Sequence, residues 1–487
     1  MSGAVADRKR LLRVTKGNCR NGHLYLTGHY DFFPADTIGA SKRRNGTGMS
    51  IEIYLEGLDR SVETDIGTDI VTGKPRRFFR GREWVKAFFE KHRIGAGDVL
   101  ALERTGNRTY RLYPFETQGE RSNDWHRFLE APPPGVGPTV LELFAGCGGM
   151  ALGFKRAGYR TSVCVEWDAA ACQTIRTNIT ERVAQCAIQE IERFPRADVV
   201  AGGPPCQGFS NLGERVPNDP RNQLWRQYVR AVLDAKPKVF VLENVPPLLR
   251  SAEYVELCRL MTDAGYSVEG RVLNAADFGA PQTRKRAIVI GVREGTPSFP
   301  EPTHIEPKRQ HLLNSELKPW VTVRDAIGDL PFEPTERNWH ISRNPTPMSL
   351  ERYRCIPPGG NRFYLPARLM PECWKKKTKG GTDLFGRLWW DRPSVTIRCE
   401  FYKPEKGRYL HPEAHRPITH REAARLQGFP DDFVFEGKRI EVGIQIGNAV
   451  PPQLAEAIAR HVKEVLLEPR KPAIVSRSFK RQTVGAL

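Results

Sequence analysis

The order of apolar and polar positions changes character twice along the chain. Up to about residue 118, short strand-like pieces dominate: His23-Leu24-Tyr25-Leu26-Thr27, Met49-Ser50-Ile51-Glu52-Ile53-Tyr54-Leu55, Asp98-Val99-Leu100-Ala101-Leu102 and Tyr110-Arg111-Leu112-Tyr113. Such pieces predict strands, and a helical patch covers 81–92. Mostly short strands with one or two helices predict a small, mainly-β barrel over 1–118. The run Glu130-Ala131-Pro132-Pro133-Pro134-Gly135 is stiff and polar, and places a linker over 119–137.

From 138 to 292 the pattern becomes a series of short, continuous apolar runs: TVLELF, SVCVEW, ADVVAGG, VFVLENV and AIVIGV. Helical stretches at 223–235 and 252–265 separate some of them. The alternation predicts βαβ units over a mostly parallel sheet, an α/β architecture. Residues 293–415 are irregular and rich in Pro, Arg, Lys and Trp. Helical periodicity returns over 419–428 and 453–468, where Leu454, Ile458, Val462 and Leu466 share one face. The end of the chain, 471–487, reads as a loose basic tail.

A length of 487 residues allows two or three domains. Lys and Arg number 75 against 56 acidic residues, a formal net charge of +19, which favours a polyanionic partner, most simply nucleic acid. The ten cysteines are scattered without zinc-ligand spacing, so no metal site is expected and a reducing compartment suits them. The first residues lack an apolar leader, and no apolar run is long enough to span a bilayer. A cytoplasmic protein is expected, with no membrane partner.

In an open α/β sheet, ligands bind beyond the carboxyl ends of the strands. The first run ends in Phe144-Ala145-Gly146-Cys147-Gly148-Gly149, a glycine turn without the GxGxxG spacing that cradles a pyrophosphate. The second ends in Glu166-Trp167-Asp168, its acid twenty residues beyond Gly146, where a carboxylate meets ribose hydroxyls. The third delivers Gly202-Gly203-Pro204-Pro205-Cys206-Gln207-Gly208, and the fourth Glu243-Asn244-Val245-Pro246-Pro247. A thiol and a carboxylate therefore emerge at the same edge. The prolines fix the backbone before Cys206 and the glycines open it, which suits a nucleophile better than an inert buried thiol.

The ordered set FAGCGG, EW, GGPPCQGFS, LENV, QTRKR and QIGNAVPP resembles the DNA (cytosine-5)-methyltransferase family from about 140 to 462. The resemblance implies a Rossmann-like S-adenosylmethionine-dependent methyltransferase domain at 138–292, a target-recognition domain at 293–415 and a return to the catalytic domain at 416–470. It implies S-adenosyl-L-methionine as cofactor, held by Phe144, Gly146, Gly148, Glu166, Trp167, Pro204 and Asn448. Cys206 matches the nucleophile and Glu243 the nearby acid, with Arg284 and Arg286 completing the catalytic set. Gln207, Ser210, Gln282, Lys375, Lys376 and Lys377 are the implied DNA contacts. The chain departs from the family at Cys186-Ala187-Ile188, where an acid often contacts the adenine. The N-terminal region resembles the DNA-binding pseudobarrel of plant transcription factors and restriction effector domains, on Tyr30-Asp31-Phe32-Phe33-Pro34, Arg77-Phe78-Phe79-Arg80 and Gly95-Ala96-Gly97-Asp98-Val99. Lys42-Arg43-Arg44 and Arg76-Arg77 would be its DNA contacts.

The chemistry implied is addition of the Cys206 thiolate to carbon 6 of cytosine, which makes carbon 5 an enamine carbon, while Glu243 donates a hydrogen at ring nitrogen 3. A base inside a duplex is out of reach, so the cytosine is flipped out. The expected protein is a sequence-specific modification enzyme acting as a monomer on double-stranded DNA near the bacterial nucleoid, with a cognate restriction endonuclease acting separately. An RNA cytosine methyltransferase and a catalytically silent DNA-binding protein are the alternatives. The basic N-terminal region disfavours the first, and Cys206 with Glu243 disfavours the second.

Overall fold

The computed structural model describes residues 9–26, 29–39, 48–69, 75–76, 78–80, 83–92, 94–95, 98–114, 128, 134–205, 224–313, 315–375 and 380–467. The chain divides into two compact units, 1–123 and 124–487.

The first unit contains β1 (Lys9–Arg13), α1 (Lys16–Asn21), β2 (Ile51–Leu55), β3 (Arg60–Thr64), α2 (Glu83–Lys91), β4 (Val99–Arg104) and β5 (Thr109–Pro114). The strands form one sheet in the order β1-β4-β5-β2-β3, antiparallel except for the parallel pair β2–β5. Among the described residues it is an open sheet, with β1 and β3 at its edges. β2 alternates buried and exposed positions, and α2 lays Trp84, Val85, Phe88 and Phe89 into the same core. Thr15 caps α1 through the Asn18 amide, and Gly22 ends it in the left-handed region. Residues 23–26 contribute only an isolated bridge, Tyr25 to Phe78, where the sequence predicts a strand. Lys42, Arg43, Arg44 and Arg77 lie outside the described residues, whereas Arg76 is exposed.

The second unit is built on a seven-stranded sheet. Its strands are β6 (Thr139–Leu143), β7 (Arg160–Glu166), β8 (Val183–Gln185), β9 (Val199–Gly202), β10 (Val239–Asn244), β11 (Ser267–Asn274) and β13 (Lys285–Val292), while β12 (Gln282–Thr283) pairs elsewhere. The order is β11-β13-β10-β9-β6-β7-β8. All neighbours are parallel except β13, which runs against both β10 and β11. This is a mixed, mostly parallel α/β sheet. The order reverses between β6 and β9, so the crevice at their carboxyl ends is the place for a ligand.

Why the central runs are apolar throughout is visible in the two faces they cover. On one face Leu141, Val163, Val200, Phe240 and Leu242 pack against α5 (Leu224–Ala235) and α6 (Ala252–Asp263). On the other, Val140, Val199, Val241, Ile288 and Ile290 pack against α3 (Gly149–Arg156) and α9 (Pro452–His461). Between β7 and β8 runs α4 (Ala169–Asn178), capped by the Asp168 side chain through the Ala171 amide. Leu454, Ile458 and Val462 of the C-terminal segment are fully buried, as their spacing predicts, and truncating Ile458 to Ala should cost about 2–5 kcal/mol. Two glycines let α3 and that segment approach closely. A Cβ on Gly149 would lie 2.4 Å from the Val450 carbonyl oxygen, and one on Gly153 2.4 Å from the Ala455 Cβ.

The irregular region after β13 has short helices, two-residue strand pairs and a core around Phe401, Tyr409, Phe429 and Phe435. Beyond it lie α7 (His420–Leu426), capped by Thr419, and α8 (Arg439–Asn448). Among the described residues no helix is long and apolar enough to cross a membrane. No group of His, Cys, Asp or Glu among them is arranged to hold a metal.

Candidate active site

The glycine turn lies where β6 meets α3. Phe144, Gly146 and Gly148 all take positive φ, at 56°, 55° and 87°. For Phe144 this is a conformation L side chains rarely adopt, and it turns the chain sharply out of the sheet. A Cβ on Gly146 would meet nothing within 4 Å, so the backbone there faces open space. Gly148 differs: a Cβ would stand 2.4 Å from Ile179 Cδ1, so neighbouring side chains already account for its glycine.

Glu166, at the end of β7, faces this turn. Its carboxylate accepts the Gly146 amide at 2.8 Å through one oxygen, and the Trp167 and Asp168 amides at 2.9 Å through the other. Burial raises its pKa, and the three backbone donors oppose that rise. A carboxylate offers about four lone-pair sites, so capacity remains for a hydroxyl donor. Trp167 is 64% exposed next to it, a flat apolar surface at the mouth of the crevice.

The C-terminal segment closes the other side. The Cys147 thiol donates to the Gln445 carbonyl at 3.5 Å, and Gly149 packs under Val450. Asn448 is exposed and accepts the Cys399 thiol at 3.0 Å. It stands at the end of α8.

Beneath the turn lies a residue the sequence reading passes over. Glu142 sits within β6, opposite Cys164 of β7 and Ala201 of β9, and is 1% exposed. The Ala151 amide donates to it, which supplies an acceptor at the start of α3 where Gly148 has no side chain to cap with. Burial pushes its pKa up to about 8. The signal was a lone acid inside the apolar run TVLELF.

At the exits of β9 and β10 the chain is tied down. Leu242 pairs with Gly202, so Glu243 stands beside Gly203, and a Cβ there would lie 2.8 Å from Glu243 Oε2. Asn244 Nδ2 donates to the Pro204 carbonyl at 3.0 Å, and its Oδ1 accepts the Val245 amide at 2.8 Å. Pro204 is buried and serves this strap. Arg286 of β13 reaches across, its Nε 2.8 Å from Glu243 Oε1, with both side chains little exposed. Cys206, Gln207 and Ser210 lie outside the described residues, one to five positions beyond Pro205.

The remaining predicted residues separate by role. Arg284 is 3% exposed and donates to the Ile397 carbonyl at 3.0 Å and the Gly447 carbonyl at 3.2 Å. It therefore braces the return segments against the sheet, and burial, followed by Arg286, lowers its pKa. Gln282 is fully buried: its amide donates to Leu426 O and Gln427 Oε1, and its oxygen accepts the Ile397 amide. The expectation that Gln282 contacts DNA is corrected, because no polar atom of it is left to face a base. Lys375 is exposed and pairs with Glu372, while Lys376 and Lys377 lie outside the described residues. At 186–188, Cys186 is buried and its amide donates to the Glu166 carbonyl at 3.1 Å.

Comparison with known proteins agrees with this geometry. The family model of C-5 cytosine-specific DNA methylases matches residues 139–464. The type II methyltransferase M1.HphI of Haemophilus parahaemolyticus is 38% identical over 344 residues, covering 66% of this chain and 86% of the relative. M.Eco47II of Escherichia coli is 36% identical over 347 residues, covering 67% and 79%. A crystal structure described as a DNA modification methyltransferase encoded within an E. coli prophage superposes with a TM-score of 0.51 at 26% identity, covering 68% of this chain and all of that one. With its sheet order, its glycine turn and a match over two thirds of its length, the chain belongs to the family of C-5 cytosine-specific DNA methylases and is a DNA cytosine-5 methyltransferase.

Proposed function

We propose that the chain methylates carbon 5 of a flipped-out cytosine in double-stranded DNA through a covalent adduct with Cys206, using S-adenosylmethionine. The observation that carries this reading is the Glu243–Arg286 pair held against Gly203, three residues before Cys206. It brings an acid and a cation to the strand end that delivers the thiol.

The residues fit the cofactor. Gly146 opens space for close backbone approach, Glu166 keeps acceptor capacity for a ribose hydroxyl, and Trp167 offers a face for a purine. Asn448 is the polar group on the opposite wall. Bound there, S-adenosylmethionine supplies an electrophilic sulfonium methyl to carbon 5.

The chain's own residues do the rest. The Cys206 thiolate adds to carbon 6, and the displaced ring electrons run towards nitrogen 3. Glu243 delivers a proton to that nitrogen, and Arg286 stabilises the carboxylate left behind. After methylation, a solvent water takes the carbon 5 proton as the Cys206 thiolate leaves, and nitrogen 3 returns its proton to Glu243, which restores the aromatic ring and the acid. Flipping the base costs a few kcal/mol, which basic surfaces gripping the phosphates offset.

Residues 293–415 act as the target-recognition region and 1–118 as an accessory DNA-binding module, consistent with the +19 charge. The enzyme works in the cytoplasm as a monomer on nucleoid DNA, protecting it in a restriction-modification system, as the type II relatives' names suggest for them. Bisulfite sequencing of DNA from cells expressing the chain, beside cells expressing Cys206→Ala, tests the reading. Methylated cytosines at one recurring sequence, absent with Cys206→Ala, are expected. Methylation only of RNA, or undiminished DNA methylation with Cys206→Ala, would refute it.

A further inference from the structure

Three arginines of the irregular region have their guanidinium groups turned inward. Arg362, Arg387 and Arg408 are 1%, 2% and 5% exposed. Burying a cation is costly unless its donors are satisfied; most of these donors go to main-chain carbonyls, and Arg408 Nε also lies 3.6 Å from Asp383 Oδ1. Arg387 binds the carbonyls of Tyr353 at 2.7 Å and Ile356 at 2.6 Å. Arg408 binds those of Gly359 and Gly360 at 2.8 Å. Arg362 binds those of Gly380 at 2.8 Å and Gly381 at 3.2 Å. Together they fix the backbone from 353 to 362.

The fixed segment ends in a tight turn, Arg362–Tyr364. Asn361 caps it, its Oδ1 accepting the Phe363 amide and its carbonyl the Tyr364 amide, both at 3.0 Å. Leu365 anchors the far side in a small core with Tyr353, Ile356 and Phe385. From this rigid turn Phe363 and Tyr364 stand 45% and 59% exposed, and the Phe363 ring rests over the Arg362 guanidinium at 4.3 Å. Two adjacent exposed aromatic rings on a braced turn are a binding feature rather than packing. The surrounding sequence selects the partner: residues 343–379 carry nine Lys and Arg against two acids. A flat ring pair amid positive charge suits bases within a phosphate backbone.

We propose that Phe363 and Tyr364 form an aromatic wedge that stacks on the bases of duplex DNA at or beside the methylated site. Protein wedges of this kind partly unstack a base step and hold the bent duplex. The inference rests on the reading of 293–415 as the DNA-facing region.

The test uses the full chain and a duplex bearing the site mapped by bisulfite sequencing, with 2-aminopurine placed in turn at each base step. The unmodified protein is expected to raise emission at one step near the site. Phe363→Ala/Tyr364→Ala should abolish that rise and weaken binding roughly 5- to 150-fold with an unchanged salt slope. Cofactor binding and the thermal midpoint should stay unchanged, and Tyr364→Phe should retain the signal. Tyr364→Ala alone, a substitution at the more exposed ring, serves if the double variant does not fold. Arg354→Ala/Lys375→Ala separates the two claims. If that variant lowers the salt slope while loss of the rings changes neither affinity nor emission, the wedge is overturned and the DNA-facing reading stands. If neither variant alters DNA binding, both are overturned.

Discussion

Replacing Glu142 by glutamine tests how the cofactor turn is supported. The residue lies in the middle of the sheet with 1% exposure, and its Oε2 has no hydrogen-bond partner among the described residues. A charge there would be uncompensated, so burial pushes its pKa from the ordinary 4.5 to about 8. The folded protein then keeps a proton that the unfolded chain has lost between these two values. Stability is therefore fully present below pH 4.5, falls as pH rises through the window, and levels off above 8. Integrating the linkage for this one group gives a loss of about 2.5 kcal/mol between pH 5.5 and 7.5. The Glu142→Gln side chain would keep an oxygen to accept from Ala151 and would not titrate. Urea unfolding of both proteins across that range, read as the variant-minus-parent difference, should show the variant gaining about 2.5 kcal/mol towards high pH. A difference that stays flat from pH 5.5 to 7.5 would mean that Glu142 is charged in the fold, and the reasoning would fail.

Three other outcomes follow from the same geometry. Trp167→Ala removes an exposed ring and should raise the cofactor dissociation constant roughly tenfold in calorimetry, leaving the thermal midpoint unchanged. Gly149→Ala drives a methyl group towards the Val450 carbonyl and should cost about 1–3 kcal/mol in unfolding experiments, with weaker cofactor binding. Arg286→Ala strips Glu243 of its partner and should lower the methyl-transfer rate by roughly 10²- to 10⁴-fold in a single-turnover assay, while cofactor affinity holds.

The parts of the fold that could be read from sequence are those buried on both sides. β6, β7, β9, β10 and β13 are legible because neighbouring helices and strands leave no polar face. β11 is not, because it forms an edge and exposes Ser267 and Arg271, and β1, also at an edge, is obscured by the charged residues Lys9, Arg10 and Arg13 in its sequence. Helix α8 escapes notice because its buried side mixes Gly443, Gln445 and Gly447 with Val442 and Ile446, while Ile440 and Ile444 face outward. In the site, Glu243 and Arg286 are legible from their motifs, and the structure brings them together. The roles of Glu142, Asn244 and Gln282 depend on cross-strand and C-terminal partners far away in sequence, which no local pattern announces. Gln282 shows the cost of transferring a role from a motif: its neighbours decide that it supports the fold and does not reach for DNA.

The central claim is that Cys206 forms a bond to the target base. A duplex carrying 5-fluorocytosine at the mapped site tests it directly, because the fluorine at carbon 5 blocks the proton loss that would release the thiol. Incubated with S-adenosylmethionine, the protein should yield a denaturation-resistant complex whose mass equals protein plus DNA plus one methyl group, and Cys206→Ala should yield none. An adduct that persists with Cys206→Ala, or methyl transfer to ordinary DNA by that variant, would contradict the account.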